Sequence, residues 1–181
     1  MSIVNGISVE QLNRTIEAVR QNPSMAKAAV YARTIWQQGL QTKVEVGESV
    51  QAVGTTARGC TLQVIGDHSE GLVAQTVSPA ALETLIAAAG ASIAGGWATF
   101  GAARGISVER LEVQLEGQID LQGAMGLAQG VRAGLQQITG KIYVKSTASD
   151  EQLQQLKETA ERLSPVVDSL RVPVKTELVR L

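Results

Sequence analysis

The chain has few of the residue types on which most catalytic and nucleic-acid-binding sites depend. Its 181 residues include one cysteine, Cys60, one histidine, His68, and only 3% aromatic residues. A single cysteine excludes an intrachain disulfide framework and a cysteine-rich zinc site. The formal net charge is −1 and no basic stripe stands out. Nucleic acid is therefore not an expected partner, because phosphate contacts need clustered Lys and Arg, and base stacking needs aromatic side chains.

No targeting or membrane segment is expected. Residues 1–21 lack a basic stretch followed by an apolar one, so no signal peptide is predicted and the cytoplasm is the default location. The uncharged stretch from Thr84 to Ala103 is long enough to span a bilayer. However, most of its residues are Ala, Gly, Ser and Thr, and no Lys/Arg cluster flanks it. We therefore expect a buried helix at this position and no membrane partner.

Capping signals and hydrophobic spacing predict a single α+β domain over residues 1–181. Ser8 with Gln11 forms a capping-box signature, and Ser78-Pro79 supplies an N-cap serine followed by proline at the first helical position. The predicted elements are an N-terminal helix over 8–22, strands within about 26–66, a central helix over 79–104, and strands with a further helix over 108–181. This order lacks an alternating βα repeat, which favours α+β over α/β.

The central helix is unusual in the size of its side chains. Residues 87–105, AAAGASIAGGWATFGAARG, are mostly Ala, Gly and Ser. A glycine inside a helix costs about 1 kcal/mol relative to alanine, so a helix with several glycines needs a compensating contact. Small side chains let a second backbone approach closely, and we interpret them as the contact surface for another helix or a partner protomer. Because so apolar a surface should not face water, we predict a dimer.

The opening NGISVEQLNRTIEAV…AVYARTIW and three later segments resemble the OsmC/Ohr family, and the opening is similar to a helix-first subgroup of it. Residues 78–117, SPAALETLIAAAGASIAGGWATFGAARGISVERLEVQLEG, resemble the central helix and following strand of that family. The similarity continues through VRAGLQQITGKIYVKSTAS (131–149) and ETAERLSPVVDSL (158–170), and is weakest over about 42–77. The resemblance implies an intertwined homodimer with an α+β, OsmC-like fold. In that fold, two central helices pack against antiparallel or mixed sheets.

The resemblance also implies an activity that this sequence lacks the residues to perform. Family members are typically thiol peroxidases that reduce organic hydroperoxides with two cysteines, one of which an arginine and a glutamate hold as thiolate. In this sequence the first cysteine position is Ser92, the second is Ser164, and the glutamate position is Glu83. Serine has no sulfenic acid or disulfide chemistry. We therefore expect a redox-inactive protein that is no longer an enzyme of the family type.

The resemblance also implies the apolar pocket in which family members bind hydroperoxides. The residues assigned to this pocket are Glu83, Ser92, Trp97 and Ser164. It is predicted to hold a small apolar or acyl ligand, or a hydroperoxide. The arginine of the family has no certain counterpart, and Arg33 and Arg58 are the two candidates.

The alternative is an oxidative-stress peroxidase that uses Cys60. Arg58 lies close in sequence, and a nearby arginine lowers the pKa of a thiol and favours the thiolate. However, most free cysteines are small buried residues. The chain also contains no second thiol to resolve a sulfenic acid.

Two other chemistries involve His68. With Asp67 and Glu70 it could form a metal site, but one histidine with loop carboxylates is a weak metal signal. His68, Ser92 and Glu83 have the residue types of a serine hydrolase triad. However, the G-x-S-x-G motif of the nucleophile turn is missing, and Ser92 lies inside a predicted helix. We expect a solvated loop here, with no metal and no cofactor.

Overall fold

The structure is a computed structural model. Contacts between residues divide the chain into two compact units. The structure describes residues 2–38, 41–51, 54–56, 62–66, 81–170 and 174–180. One unit comprises Met1–Leu12 with Ile86–Leu181, and the other comprises Asn13–Leu85. Helices and sheets occur together along the chain, as the predicted α+β class requires.

The Asn13–Leu85 unit contains a four-stranded antiparallel sheet. Its strands are β3 (Ala28–Gln38), β4 (Gln41–Gln51), β5 (Gly54–Thr56) and β6 (Leu62–Gly66). β4 is central: it pairs with β3 along one edge, and with both β5 and β6 along the other. All four strands lie within the region of about 26–66 in which the sequence predicts strands. Gly39 is typical of a turn between two strands, and it lies outside the described residues.

The other unit begins with a short hairpin of β1 (Ile3–Val4) and β2 (Ile7–Ser8). Its turn residues, Asn5 and Gly6, have φ angles of 53° and 75°. Asparagine and glycine tolerate this left-handed backbone better than other residues, which explains an Asn-Gly turn here. Helix α1 (Val9–Gln21) follows, and Ser8 Oγ accepts a hydrogen bond from the backbone N–H of Gln11 at 3.3 Å, as expected for an N-cap.

A long helix and a three-stranded mixed sheet form most of this unit. Helix α2 (Ala81–Ala103) ends before Gly105, which has a φ of 70°. The strands are β7 (Arg110–Gln118), β8 (Gln137–Lys145) and β9 (Val174–Arg180), in the order β7–β8–β9. β7 and β8 are antiparallel, whereas β8 and β9 are parallel. The Ser78-Pro79 start expected for α2 lies outside the described residues.

The connections between these strands contain three further helices. The short helix α3 (Leu121–Ala124) lies between β7 and β8. Helices α4 (Asp150–Arg162) and α5 (Pro165–Ser169) lie in the crossover from β8 to β9. The crossover is attached to β9 through Glu161, which accepts a hydrogen bond from the Thr176 hydroxyl and pairs with Lys157 at 3.2 Å.

The core lies where α2 and α4 pack against β8. Its fully buried side chains include Ile93 and Trp97 of α2, Ile142 of β8, and Leu153 and Leu156 of α4. In the described part of the chain, α2 is the helix long and apolar enough to cross a membrane, by length and composition alone. A core helix meets the same criteria, and α2 supplies two of the largest side chains of this core.

Candidate functional site

Helices α2 and α4 run antiparallel and approach each other at two glycines. A Cβ built at Gly101 would lie 3.5 Å from Cδ2 of Leu156. A Cβ built at Gly96 would lie 3.1 Å from Cβ and 3.2 Å from Cα of Ala160. These separations leave little or no room for a larger residue at Gly96. The small side chains of α2 therefore do allow a second helix to come close, as their composition predicted.

Just after the end of α4, Ser164 comes into contact with Ser92 of α2. Their Oγ atoms are 2.7 Å apart, which is a good distance for an O–H···O hydrogen bond. Ser92 lies one helical turn before Gly96 on α2, and Ser164 lies four residues after Ala160. The two positions that the resemblance aligned with cysteines thus meet where the close helix contact places them.

Ser164 also has a structural role as the N-cap of α5. Its Oγ accepts a hydrogen bond from the backbone N–H of Val167 at 3.2 Å, and Pro165 occupies the first helical position. The Ser164 side chain is buried, with 2% of its surface exposed. The sequence prediction of one further helix over 108–181 does not include α5. The signal was available, since the same Ser-Pro pattern was used to predict the start of α2.

The other two residues assigned to the pocket lie elsewhere on α2. Trp97 is fully buried in the core cluster with Ile93 and Leu153. Its indole Nε1 has no hydrogen-bond partner among the described residues. Glu83 lies in the first turn of α2, nine residues before Ser92, in the part of the helix that belongs to the Asn13–Leu85 unit. The structure thus brings Ser92 and Ser164 together, while pocket roles for Trp97 and Glu83 remain predictions.

Arg33, a candidate for the arginine of the family, forms an ion pair across β3 and β4. Its guanidinium donates to one carboxylate oxygen of Glu45, with Nη2 at 2.7 Å and Nε at 3.0 Å. Hydrogen bonds from Lys43 and then from Arg33 hold the pKa of Glu45 below its ordinary value. Whether Arg33 takes the place of the family arginine remains a prediction.

Five residues of the alternative chemistries lie outside the described residues. These are Arg58, Cys60, Asp67, His68 and Glu70. Within the residues that the structure does describe, no group of three or more His, Cys, Asp or Glu side chains could hold a metal ion. The peroxidase and metal hypotheses therefore remain predictions from sequence.

One cavity of about 570 Å³ lies away from the serine pair. Its lining comes from β7, β8 and β9 and includes Glu116, Lys141 and Glu177. None of the residues assigned to the pocket from sequence lines this cavity. The serine pair is therefore the candidate site on grounds of side-chain geometry.

Comparisons with known proteins identify the fold of the chain. The family model described as OsmC-like protein matches residues 74–179. An OsmC-like protein from Mycoplasma pneumoniae has a TM-score of 0.66 at 11% identity, covering 84% of this chain and 97% of that chain. An organic hydroperoxide resistance protein OsmC from Legionella pneumophila has a TM-score of 0.56 at 14% identity, with 84% and 96% covered. The organic hydroperoxide resistance protein OhrB of Bacillus subtilis has a TM-score of 0.52 at 15% identity, with 84% and 98% covered.

These structural similarities establish the fold, and the family match covers more than half of the chain. A search of curated protein sequences found no significant match to this chain. The central helix, the following strand and the Ser164-Pro165 turn all lie within the matched segment. The chain therefore belongs to the OsmC-like protein family.

Proposed function

We propose that this chain is an OsmC-like protein that has lost the thiol chemistry of its family and binds a small apolar ligand beside Ser92 and Ser164. The observation that carries the proposal is the hydrogen bond between their Oγ atoms at 2.7 Å. Reduction of a hydroperoxide needs a thiolate that becomes a sulfenic acid, and then a second thiol that resolves it. A pair of hydroxyl groups can perform neither step. The scaffold can still offer a pocket.

The binding-competent form is proposed to be a homodimer in the cytoplasm. Four small residues on one face of α2 are exposed in the single chain: Ala87, Ala88, Ala91 and Gly95. Their spacing places them on one side of the helix. An uncharged face of this kind suits close contact with the same face of a second copy. The ligand pocket would then lie at or near that contact.

The alternative is a stress protein that reduces organic hydroperoxides through Cys60. Two of the structurally similar proteins are named as organic hydroperoxide resistance proteins. Their names support hydroperoxide reduction as the alternative function. Cys60 is the one thiol in the chain. A peroxidase built on it would need an external thiol to resolve its sulfenic acid.

Activity and binding assays separate the two proposals. Wild-type protein and Cys60→Ala are incubated with cumene hydroperoxide and a dithiol reductant, and loss of peroxide is followed. We expect no turnover by either protein, together with a thermal shift from an apolar ligand such as a medium-chain ketone. Turnover by the wild type that disappears in Cys60→Ala would favour the alternative, and the absence of any ligand shift would count against the binding function.

A further inference from the structure

The side chain of Asn5 holds the N-terminal hairpin against the end of α2. Its Nδ2 donates to the carbonyl oxygens of Ala98 at 3.3 Å and Ile106 at 3.0 Å, and its Oδ1 accepts from the backbone N–H of Val108 at 2.8 Å. Both amide protons and the amide oxygen are therefore engaged. The side chain cannot turn away without breaking its hydrogen bonds to α2 and to the segment that follows it.

Gly101 leaves the space that this amide occupies. A Cβ built at Gly101 would lie 2.8 Å from Nδ2 of Asn5, a separation that real Cβ atoms do not tolerate. Gly101 is buried in the last turn of α2, and its carbonyl oxygen accepts from the backbone N–H of Ile106 at 2.9 Å. The docked position of the Asn5 side chain thus depends on a glycine that is distant in sequence.

Asn5 is followed by Gly6, and an Asn-Gly pair is prone to lose the side-chain amide of its asparagine. The backbone nitrogen of Gly6 attacks Asn5 Cγ, its proton passes to Nδ2, and the Cγ–Nδ2 bond breaks to release ammonia. Water then opens the cyclic imide at one of its two carbonyl carbons and gives aspartate or isoaspartate. Glycine favours the attack because no side chain shields its nitrogen. Gly6 is exposed and Asn5 is half-buried, so water reaches this turn.

This reaction and the docking of the hairpin use the same atoms. Closing the imide ring moves Asn5 Cγ onto the main chain and removes Nδ2 from both of its carbonyl acceptors. The hydrogen bonds to Ala98 and Ile106 must therefore break for the reaction to proceed. The ionised product has no proton to donate to these carbonyl groups. Once formed, it cannot restore the original contact.

We propose that Asn5 is a deamidation site that reacts when the hairpin has separated from α2, and that the product does not dock again. Water is the co-reactant, and the products are ammonia and an aspartyl or isoaspartyl residue. The modification therefore records, irreversibly, that this contact has opened in a given chain. The inference is independent of the proposed ligand-binding function.

The protection of Asn5 is tested by comparing the native protein with a synthetic peptide of residues 1–12. Both are incubated at neutral pH, and mass spectrometry of the N-terminal segment follows the mass gain when OH replaces NH₂. Three neutral hydrogen bonds predict deamidation that is roughly 10- to 1,000-fold slower in the native protein than in the peptide. Equal rates would overturn the proposal, as would a peptide that does not deamidate.

Two glycine variants assign the protection to the docked amide. Gly101→Ala should deamidate faster than the wild type, because the new Cβ displaces the Asn5 side chain. Gly90→Ala is the matched control and should keep the wild-type rate, since its Cβ makes ordinary contacts of 3.8 Å with Leu115 and 3.9 Å with Val113. Circular dichroism confirms that each variant is folded. A folded Gly101→Ala that deamidates at the wild-type rate would contradict the proposal.

The deamidated wild-type protein gives a second readout that does not depend on a variant. Ion exchange separates it from the unmodified protein through its added negative charge. Hydrogen exchange should then be faster at the backbone amide of Val108 in the deamidated form, because that N–H is bonded to Asn5 Oδ1 when the hairpin is docked. Equal protection of Val108 in both forms would show that the product docks again and would overturn the proposal.

Discussion

Gly96 and Ala160 are in direct contact across α2 and α4, with only 3.1 Å between the Ala160 Cβ and a Cβ built at Gly96. One helical turn before Gly96 on α2, the Oγ atom of Ser92 lies 2.7 Å from that of Ser164. Gly96 therefore allows a helix separation that a leucine, or even an alanine, at this position would prevent. It lets the two helices approach closely enough for a short hydrogen bond between two of the smallest polar side chains.

Gly96→Ala is expected to lower the free energy of unfolding, although alanine favours helix. The gain in helix propensity is about 1 kcal/mol, but overpacking against Ala160 costs about 1–3 kcal/mol. Gly90→Ala is the matched control, because a Cβ there would make ordinary contacts of 3.8 Å with Leu115 and 3.9 Å with Val113. Urea unfolding should show stabilisation by the control and not by Gly96→Ala. Equal stabilisation by both would contradict the tight contact.

Asn5→Asp is expected to destabilise the fold by about 1–3 kcal/mol, since it leaves two partly buried carbonyl groups facing an acceptor. Asn5 Nδ2 donates to the carbonyl oxygens of Ala98 at 3.3 Å and Ile106 at 3.0 Å, and its Oδ1 accepts from the N–H of Val108 at 2.8 Å. Aspartate tolerates the left-handed backbone but cannot donate when ionised. Thermal unfolding at neutral pH measures the loss. Asn5→Gly retains the turn and should cost less; the reverse order would argue against this role of the side chain.

These two sites show where sequence reasoning succeeded and where it failed. The alternation of Leu111, Val113 and Leu115 with polar residues predicts the strand β7, because a strand with one buried face has a period of two. The composition of α2 predicted a close helix contact, but not that Gly96 makes it while Gly95 is exposed. The partners of Asn5 are more than ninety residues away along the chain. No local pattern encodes such a contact.

The parallel pairing of β8 with β9 was also beyond local reasoning. A parallel partner is reached through a crossover, here the segment containing α4 and α5. Whether β9 joins its neighbour parallel or antiparallel depends on how that crossover packs. In this packing Glu161 of α4 pairs with Lys157 and accepts a hydrogen bond from Thr176 of β9. These contacts form only in the folded chain, so no local sequence pattern predicts them.

Ala91→Glu is expected to convert a dimer into a monomer. Ala91 lies on the exposed small-residue face of α2, so a carboxylate is tolerated by the single chain but would be buried without a partner in the proposed dimer. Light scattering should give about twice the chain mass of 19.0 kDa for the wild type and the chain mass for the variant. Gln155→Glu, at an exposed position of α4, is the control and should remain dimeric. A monomeric wild type would refute the proposed interface.

Ser92→Cys combined with Ser164→Cys, in a Cys60→Ala background, is expected to form an intrachain disulfide when a hydroperoxide is added. The Oγ atoms are 2.7 Å apart, and the sulfurs of a disulfide are about 2.05 Å apart. One thiolate would reduce the peroxide to an alcohol and become a sulfenic acid, and the second thiol would then displace water. Thiol titration should show the loss of both thiols. Ser92→Cys alone should stop at the sulfenic acid, and two persisting thiols in the double variant would contradict the geometry.

The loss of family chemistry is tested most directly by the rate at which the native protein reduces an organic hydroperoxide in the presence of a dithiol. Cys60→Ala serves as the comparison, because it removes the one thiol in the chain. We predict a rate equal to that of the reductant alone for both proteins, since neither Ser92 nor Ser164 can become a sulfenic acid. A protein-dependent rate that survives in Cys60→Ala would contradict the account.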